Sequence, residues 1–504
     1  LATSIVACWS GSPELFDRGI VRILRTSHLS TAVVCAFVMV ASQGQASGAG
    51  ALYEGMKFET VRAVPIGRAD VAELTRNLGR VVPVDAIGVA AEKGDRPKRR
   101  DRTAAELAEL ARPGKYSFAP RQPSGALRIA DEEFRPVRDR VNAEECRNFF
   151  RNYPKDDTPP PYWFKNRFNA CHGITLLSEH YEVRNGRPFL TGAMTVDAVA
   201  MVSMNENSRS SEVSLRLWDW NKIGEYPTDK KWVFGAGCWE TAPRGKDCLP
   251  DSVTHYGTPD QWKNNPERTQ TIQYPTDGMT IPEDPSPHGI EQRQLYEIDP
   301  YVYLPDSPPP AKTFYDAPSV PQRCDQGRTA VSPNYVRGSD CVFHEQAGVF
   351  QLSVSDDRVA ESAQLIRDAI DNVSSTKPGT VDKPNAWIPG KFGTAHPLHR
   401  LYHDQIGRDN NGAAAIEACK KYFTPNYKDR NDPNDPEATN DCDEYPFRTT
   451  YQGVQFTIND NNDRSYAVRP VLSRQNQKAG DLLGQFMAND HLGEEDPFYV
   501  WIHD

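Results

Sequence analysis

The sequence predicts an α+β protein, with a β-rich, sandwich-like N-terminal domain followed by a small C-terminal α/β domain. Three observations predict it. Strand-like alternation with frequent turn signals fills residues 140–340, helical spacing takes over from 341, and eight cysteines fall into four local couples along both. The chain has 504 residues, enough for two or three domains. A hydrophobic content of 38% and 40 prolines favour a loop-rich, extracellular type of protein over a compact helical one. The formal net charge of −10 argues against a protein that coats nucleic acid, because such affinity comes mainly from Lys and Arg neutralising phosphates.

Residues 1–46 read as a leader. Arg18, Arg22, Arg25 and His28 precede an apolar run at 31–41, and small residues follow at 44–49. That is the order of a secretory signal peptide, and the run is too short to span a bilayer. Residues 1–20 carry no pattern, which places the expected start nearer Val21. The expectation is a secreted protein with no stable membrane association. Cys8 and Cys35 lie in the leader; the remaining eight are expected to pair by proximity as Cys146–Cys171, Cys238–Cys248, Cys324–Cys341 and Cys419–Cys442. The absence of a Cys-x-x-Cys motif argues against a zinc ribbon.

Residues 47–139 read as a mixed and disordered linker, dense in charge at 92–121, with a weak helical patch at 104–111. The β-rich domain takes 140–340. Strands are predicted at 194–202, 211–218, 232–234 and 301–304, with a turn at 205–208. Val213, Leu215 and Leu217 alternate with polar neighbours, which implies an antiparallel sandwich with one buried face. No catalytic constellation shows there, and His172, Trp163 and Phe164 read as core residues.

The last domain takes 341–504. It opens with a strand at 349–355 and a helix at 358–373 that carries Val359, Ala363, Ile366 and Ile370 on one face, with Ser355 or Asp356 as cap. Further helices are predicted at 398–406, 413–423 and 477–487, and strands at 466–472 and 498–502. Pro470 marks the first of these strands as an edge.

The chemistry concentrates at Asp441-Cys442-Asp443-Glu444-Tyr445-Pro446-Phe447. Proline restricts itself and Tyr445 before it, so Asp443 and Glu444 are expected at a rigid turn. Paired carboxylates there can hold a hard cation or take a proton from water. Asn476 opens a helix, where it can cap or offer its amide oxygen to a metal. His396, His399 and His403 follow at spacings of three and four. The last two would share a helical face as zinc ligands, or one would act as a base, against the plainer reading of surface histidines. The oxygen-rich stretches 429–435 and 459–463 read as solvated loops with some capacity for Ca²⁺. Arg448, Arg464, Arg469 and Arg474 gather around this region and are candidate phosphate contacts.

Cys442-Asp443-Glu444-Tyr445-Pro446-Phe447 followed by Thr449-Thr450-Tyr451-Gln452-Gly453 resembles the signature of the NucA/NucB family of secreted bacterial deoxyribonucleases. Asn476-Gln477-Lys478-Ala479-Gly480 resembles the family's Asn-Arg-x-x-Gly helix start, and Asp496-Pro497-Phe498-Tyr499-Val500 its closing strand. Residues 388–390 and 397–401 look like the longer actinobacterial members. The resemblance implies a nuclease domain of ββα-metal type and an endonuclease that hydrolyses DNA with a divalent metal, Mg²⁺ or Mn²⁺. It implies that one of Asp443 and Glu444 deprotonates water while the other assists or binds metal, that Asn476 is a metal ligand beside Glu444, and that Arg448, Arg469 and Arg474 meet phosphate. Gln477 stands where Arg is usual, and Arg474 is its candidate replacement. A monomer acting on DNA is expected. The alternatives are a non-catalytic secreted binding or cell-surface protein, and a toxin delivered to competitors with an inhibitor or immunity protein as partner. Acidic residues outnumber basic ones over 340–504, which opposes binding of a polyanion and calls for a local basic groove.

Overall fold

The structure, a computed structural model, describes residues 52–83, 139–154, 159–205, 208–240, 248–250, 255–274, 292–305, 314–326, 339–380, 383–402, 404–430, 433, 435, 438–459 and 463–504. The expected leader and the helical patch at 104–111 lie outside these residues.

The β-rich part is built from β1 (Lys57–Val64), α1 (Val71–Asn77), α2 (Ala143–Arg151), β2 (Trp163–Asn166), β3 (Asn169–Arg184), β4 (Arg187–Met204), β5 (Ser210–Gly224), β6 (Trp232–Glu240), β7 (Leu249–Pro250), β8 (His255–Gly257), α3 (Pro259–Asn264), β9 (Glu267–Gln273), β10 (Gln292–Tyr303), β11 (Phe314–Asp316), β12 (Val320–Gln326) and β13 (Ser339–Val342). One sheet runs β1-β3-β4-β5-β9-β7, with β2 beside β3. The other runs β13-β12-β10-β6-β8, with β11 beside β10. The pairings are antiparallel. Val213, Leu215 and Leu217 of β5 and Phe234, Tyr296 and Ile298 of the second sheet share one core. Glu212, Ser214 and Arg216 between them stay half-exposed, as period-2 alternation requires. His172 is buried and bonded to Pro161 O and Tyr315 Oη, a core residue as expected.

β1 departs from expectation. It lies in the segment read as linker, yet it pairs with β3 from Lys57 to Val64. Its four charged or polar residues in eight obscured the pattern, and a long partner strand supplies the order that local sequence does not. The four expected disulfides all form.

The C-terminal lobe comprises β14 (Gly348–Ser353), α4 (Ala360–Asp371), β15 (Lys377–Pro378), β16 (Leu398–His399), α5 (Gln405–Tyr422), β17 (Asn440–Tyr445), α6 (Val454–Ile458), β18 (Ala467–Leu472), α7 (Ser473–Asn489) and β19 (Pro497–His503). Two three-stranded sheets form, β14-β19-β16 and β15-β18-β17. β14 runs parallel to β19. α4 buries Ala363, Leu365, Ile366 and Ala369 against the core that also holds Leu483 and Phe498. Its cap differs from expectation: Val359 stands at the N-cap without a side-chain bond, and Asp356 instead binds Arg358.

The two helices expected at 398–406 and 413–423 are corrected. Leu398–His399 is a strand, and a single helix, α5, starts at Gln405 with the Asp404 carboxylate accepting from Gly407 N at 2.7 Å. Asp404 is the stronger start signal. β18 is the central strand of its sheet, not an edge. Pro470 is tolerated because β15 pairs only with Ala467 and Val468, so that flank ends before Pro470.

A buried joint ties the two parts together. Arg167 on the β2–β3 turn and Arg323 on β12 both reach Asp496, which precedes β19. Arg167 also donates to Asp490 O at 3.0 Å and to Gln346 O, and Arg323 to His491 O at 3.2 Å. Gly493 N donates to the same Asp496 carboxylate at 2.8 Å.

Candidate active site

β17 carries the acidic pair and lies antiparallel to β18, with Asp443 opposite Arg469 and Glu444 opposite Val468. The expected turn at the pair is displaced. Asp443 and Glu444 lie within regular strand, and the turn comes after Tyr445, through a cis peptide to Pro446. Successive strand residues face opposite ways. Tyr445 packs in the core with Ala467, Ala479 and Leu483, so Asp441 and Asp443 share the face turned to α4 and α7. Cys442 packs with Ala415 and Ala418 of α5, so Glu444 shares the α5 face. The two carboxylates therefore do not converge on one point.

The Tyr445 hydroxyl donates to Pro389 O at 3.0 Å. Gly390 next to it has φ +102, and a Cβ there would strike the Tyr445 hydroxyl, so glycine is required for this approach. The Ile388-Pro389-Gly390 segment thereby clamps the end of β17.

Both carboxyls hold their protons more tightly than usual. Burial pushes Asp443 up to about 6, and the nearby Asp441 adds to it, while Ser362, the Glu444 amide and Arg469 oppose the rise. Burial and the charge of Asp443 push Glu444 up to about 8, against the pull of Arg448. Asp443 Oδ1 accepts from Glu444 N at 2.9 Å, whereas its Oδ2 is buried with no hydrogen-bond partner among the described residues. Glu444 accepts from Arg448 N at 3.2 Å.

Asn476 lies in the first turn of α7, inside the helix and not at its cap, which is Leu472. Helical spacing puts it in line with the buried Ala479, Leu483 and Met487, on the side that packs against Tyr445. It thus faces the sheet surface that carries Asp443, not the one that carries Glu444. Three of the four candidate phosphate arginines each hold an aspartate: Arg448 with Asp409 at 3.0 Å, Arg469 with Asp368 at 2.7 Å and Arg474 with Asp435 at 2.7 Å. Arg469 flanks Asp443, and Arg448 lies beside Glu444 on the other face.

The helix expected to carry His399 does not form there. His399 sits on β16, bonded through Nδ1 to Gln452 at 3.0 Å, and burial pulls its pKa below the usual range. His396 packs at a tilt against Trp387, with ring centroids 4.6 Å apart. His403 lies outside the described residues, as do parts of 429–435 and 459–463.

Residues 396–501 match the family Deoxyribonuclease NucA/NucB. The match supports deoxyribonuclease activity, and the NucA/NucB segment contains every candidate site residue from His399 to Asn476. No curated protein and no solved structure matches the chain. β14 and α4, which pack on the NucA/NucB segment, lie upstream of it.

Among the described residues, no three His, Cys, Asp or Glu side chains gather into a metal cage. A Mg²⁺-like ion does not need one, because it keeps several waters and takes one or two protein oxygens besides substrate phosphate. The unpartnered Asp443 Oδ2, beneath the helix that carries Asn476, suits a hydrated ion of that kind. Cys419–Cys442 anchors β17 to α5 one residue before Asp443. Replacing both cysteines by Ala is expected to cost about 2–4 kcal/mol in urea unfolding; an unchanged midpoint would show that the strand is held without it.

Proposed function

We propose that the chain is an exported, metal-dependent endonuclease that hydrolyses DNA phosphodiester bonds through a ββα-metal site formed by β17, β18 and α7. The carrying observation is the Asp443 carboxyl: burial raises its pKa to about 6, its Oδ2 makes no hydrogen bond among the described residues, and it faces the helix of Asn476 inside the NucA/NucB segment. Asp443 is the general base. It is ionised above about pH 6 and takes a proton from the attacking water, whose oxygen forms the new bond to phosphorus while the old ester P–O bond breaks. The leaving oxygen takes its proton from solvent.

Asn476 holds the divalent ion, Mg²⁺ or Mn²⁺. Bound there, such an ion supplies positive charge that polarises the phosphate and stabilises the leaving oxygen. Glu444, expected as a second ligand, faces away from Asn476; its role is to hold the Arg448 turn, and its raised pKa keeps a second negative charge from the substrate. Arg469 is the phosphate contact on the Asp443 face, released from Asp368 as the phosphate replaces that carboxylate. The four disulfides accord with an oxidising compartment, and no helix among the described residues is long and apolar enough to cross a membrane.

The test is plasmid cleavage by the purified full chain, with and without EDTA. Cleavage is expected to stop with chelator and return with Mg²⁺ or Mn²⁺. Asn476→Ala is expected to lose about 10–100-fold in activity and to need more metal for half-maximal rate. Cleavage indifferent to EDTA would remove the metal from the proposal.

A further inference from the structure

Ser362 is a buried polar group that the scheme above leaves without a task. It lies on α4, upstream of the NucA/NucB segment, and is 1% exposed. Its Oγ has no hydrogen-bond partner among the described residues, and neither does Asp443 Oδ2. The two groups are neighbours: α4 packs on the face of β17 that carries Asp443, and the Ser362 hydroxyl lies near enough to the carboxyl to hold its pKa down, though not in the geometry of a completed hydrogen bond. Native interiors pair nearly all such atoms, and an open pair of a hydroxyl and a carboxylate oxygen weakens the fold. The cost falls away once the hydroxyl donates, because a hydroxyl can turn and a carboxylate oxygen has more than one lone pair to offer.

α4 supports the same spot a second way. Its Asp368 holds Arg469, which sits directly across the sheet from Asp443. In the free protein α4 therefore adjoins the acid twice, through Ser362 and through the Asp368–Arg469 pair.

We propose that Ser362 is a positioning residue of the active site, whose hydroxyl donates to Asp443 Oδ2 when substrate is bound and fixes the rotation of that carboxylate as it receives the proton from water. The inference rests on Asp443 being the base. It assigns part of the catalytic arrangement to a helix outside the NucA/NucB segment.

The experiment compares Ser362→Ala, Ser362→Thr and Asp443→Ala in the full chain, by steady-state plasmid cleavage and thermal unfolding. Ser362→Ala is expected to lower kcat about tenfold, to leave KM within about twofold, and to melt no lower than the parent. Ser362→Thr, which keeps the hydroxyl, is expected to recover most of the rate. A Ser362→Ala protein that turns over at the parent rate, while Asp443→Ala is inactive, overturns the assignment and spares the base. Equal slowness of the Ala and Thr variants also overturns it, since the hydroxyl would then not matter. If Asp443→Ala cleaves normally, the base and its positioning residue fall together.

Discussion

Asp443→Asn is expected to lower kcat for DNA cleavage by about 10²–10⁴-fold, the range that a positioned general base supplies. The same change is expected to stabilise the fold. The carboxyl is pushed up to about 6 by burial, from an ordinary 3.8, so its ionised form is disfavoured in the folded protein. Stability from this group is present in full below pH 3.8 and is lost as pH rises through about 6. Asparagine carries no charge to bury, so the variant should gain about 1–3 kcal/mol at pH 8 and nothing near pH 3. The parent enzyme should lose activity as pH falls below about 6, when Asp443 gains a proton. A pH–rate profile and paired melting curves at pH 3 and 8 read both effects. An Asp443→Asn protein with parental turnover would end the base assignment.

The largest expected effect on stability is at Asp496→Ala. The carboxylate lies between Arg167 and Arg323, and all three are nearly shut off from solvent, at 5%, 2% and 1% exposure respectively. Burial and the neighbouring Arg323 pull the Arg167 pKa down, and Asp496, with help from Asp490, opposes them. Removing the anion leaves two guanidiniums close together in a buried joint without the carboxylate that pairs them both. Breaking one buried pair costs about 3–5 kcal/mol, and two cations lose their counterion here. Urea unfolding with a loss under about 1 kcal/mol would show that the joint is hydrated and the pairing incidental. Because Asp496 also orders the segment leading into β19, DNA cleavage should fall with the fold.

Much of this architecture was legible in the sequence where the signal is local. Val213, Leu215 and Leu217 announced a one-sided strand, and the spacing of Ala479, Leu483 and their neighbours announced α7. The disulfide pairing followed proximity because each couple joins neighbouring elements. Asp443 and Asn476 stood out as candidates because each lies in a short local motif, 442–447 and 476–480. What was not legible depends on contacts between distant parts of the chain. β1 is a strand because β3 is long enough to receive it. The opposed directions of Asp443 and Glu444 follow from the pairing of β17 with β18, which overrode the turn that Pro446 suggested. Ser362 gave only a faint sign, a hydroxyl on the stripe of a helix otherwise lined by Ala, Leu and Ile.

The position of β19 has a consequence for biosynthesis. It is the middle strand of its sheet, between β14 and β16, yet it is made after both. Until it emerges, its two neighbours have nothing to bridge them, and Phe498 and Val500 are missing from the core beneath α4. A partly translated chain therefore holds an unfinished C-terminal lobe, whose core and β14-β19-β16 sheet close only when β19 joins them.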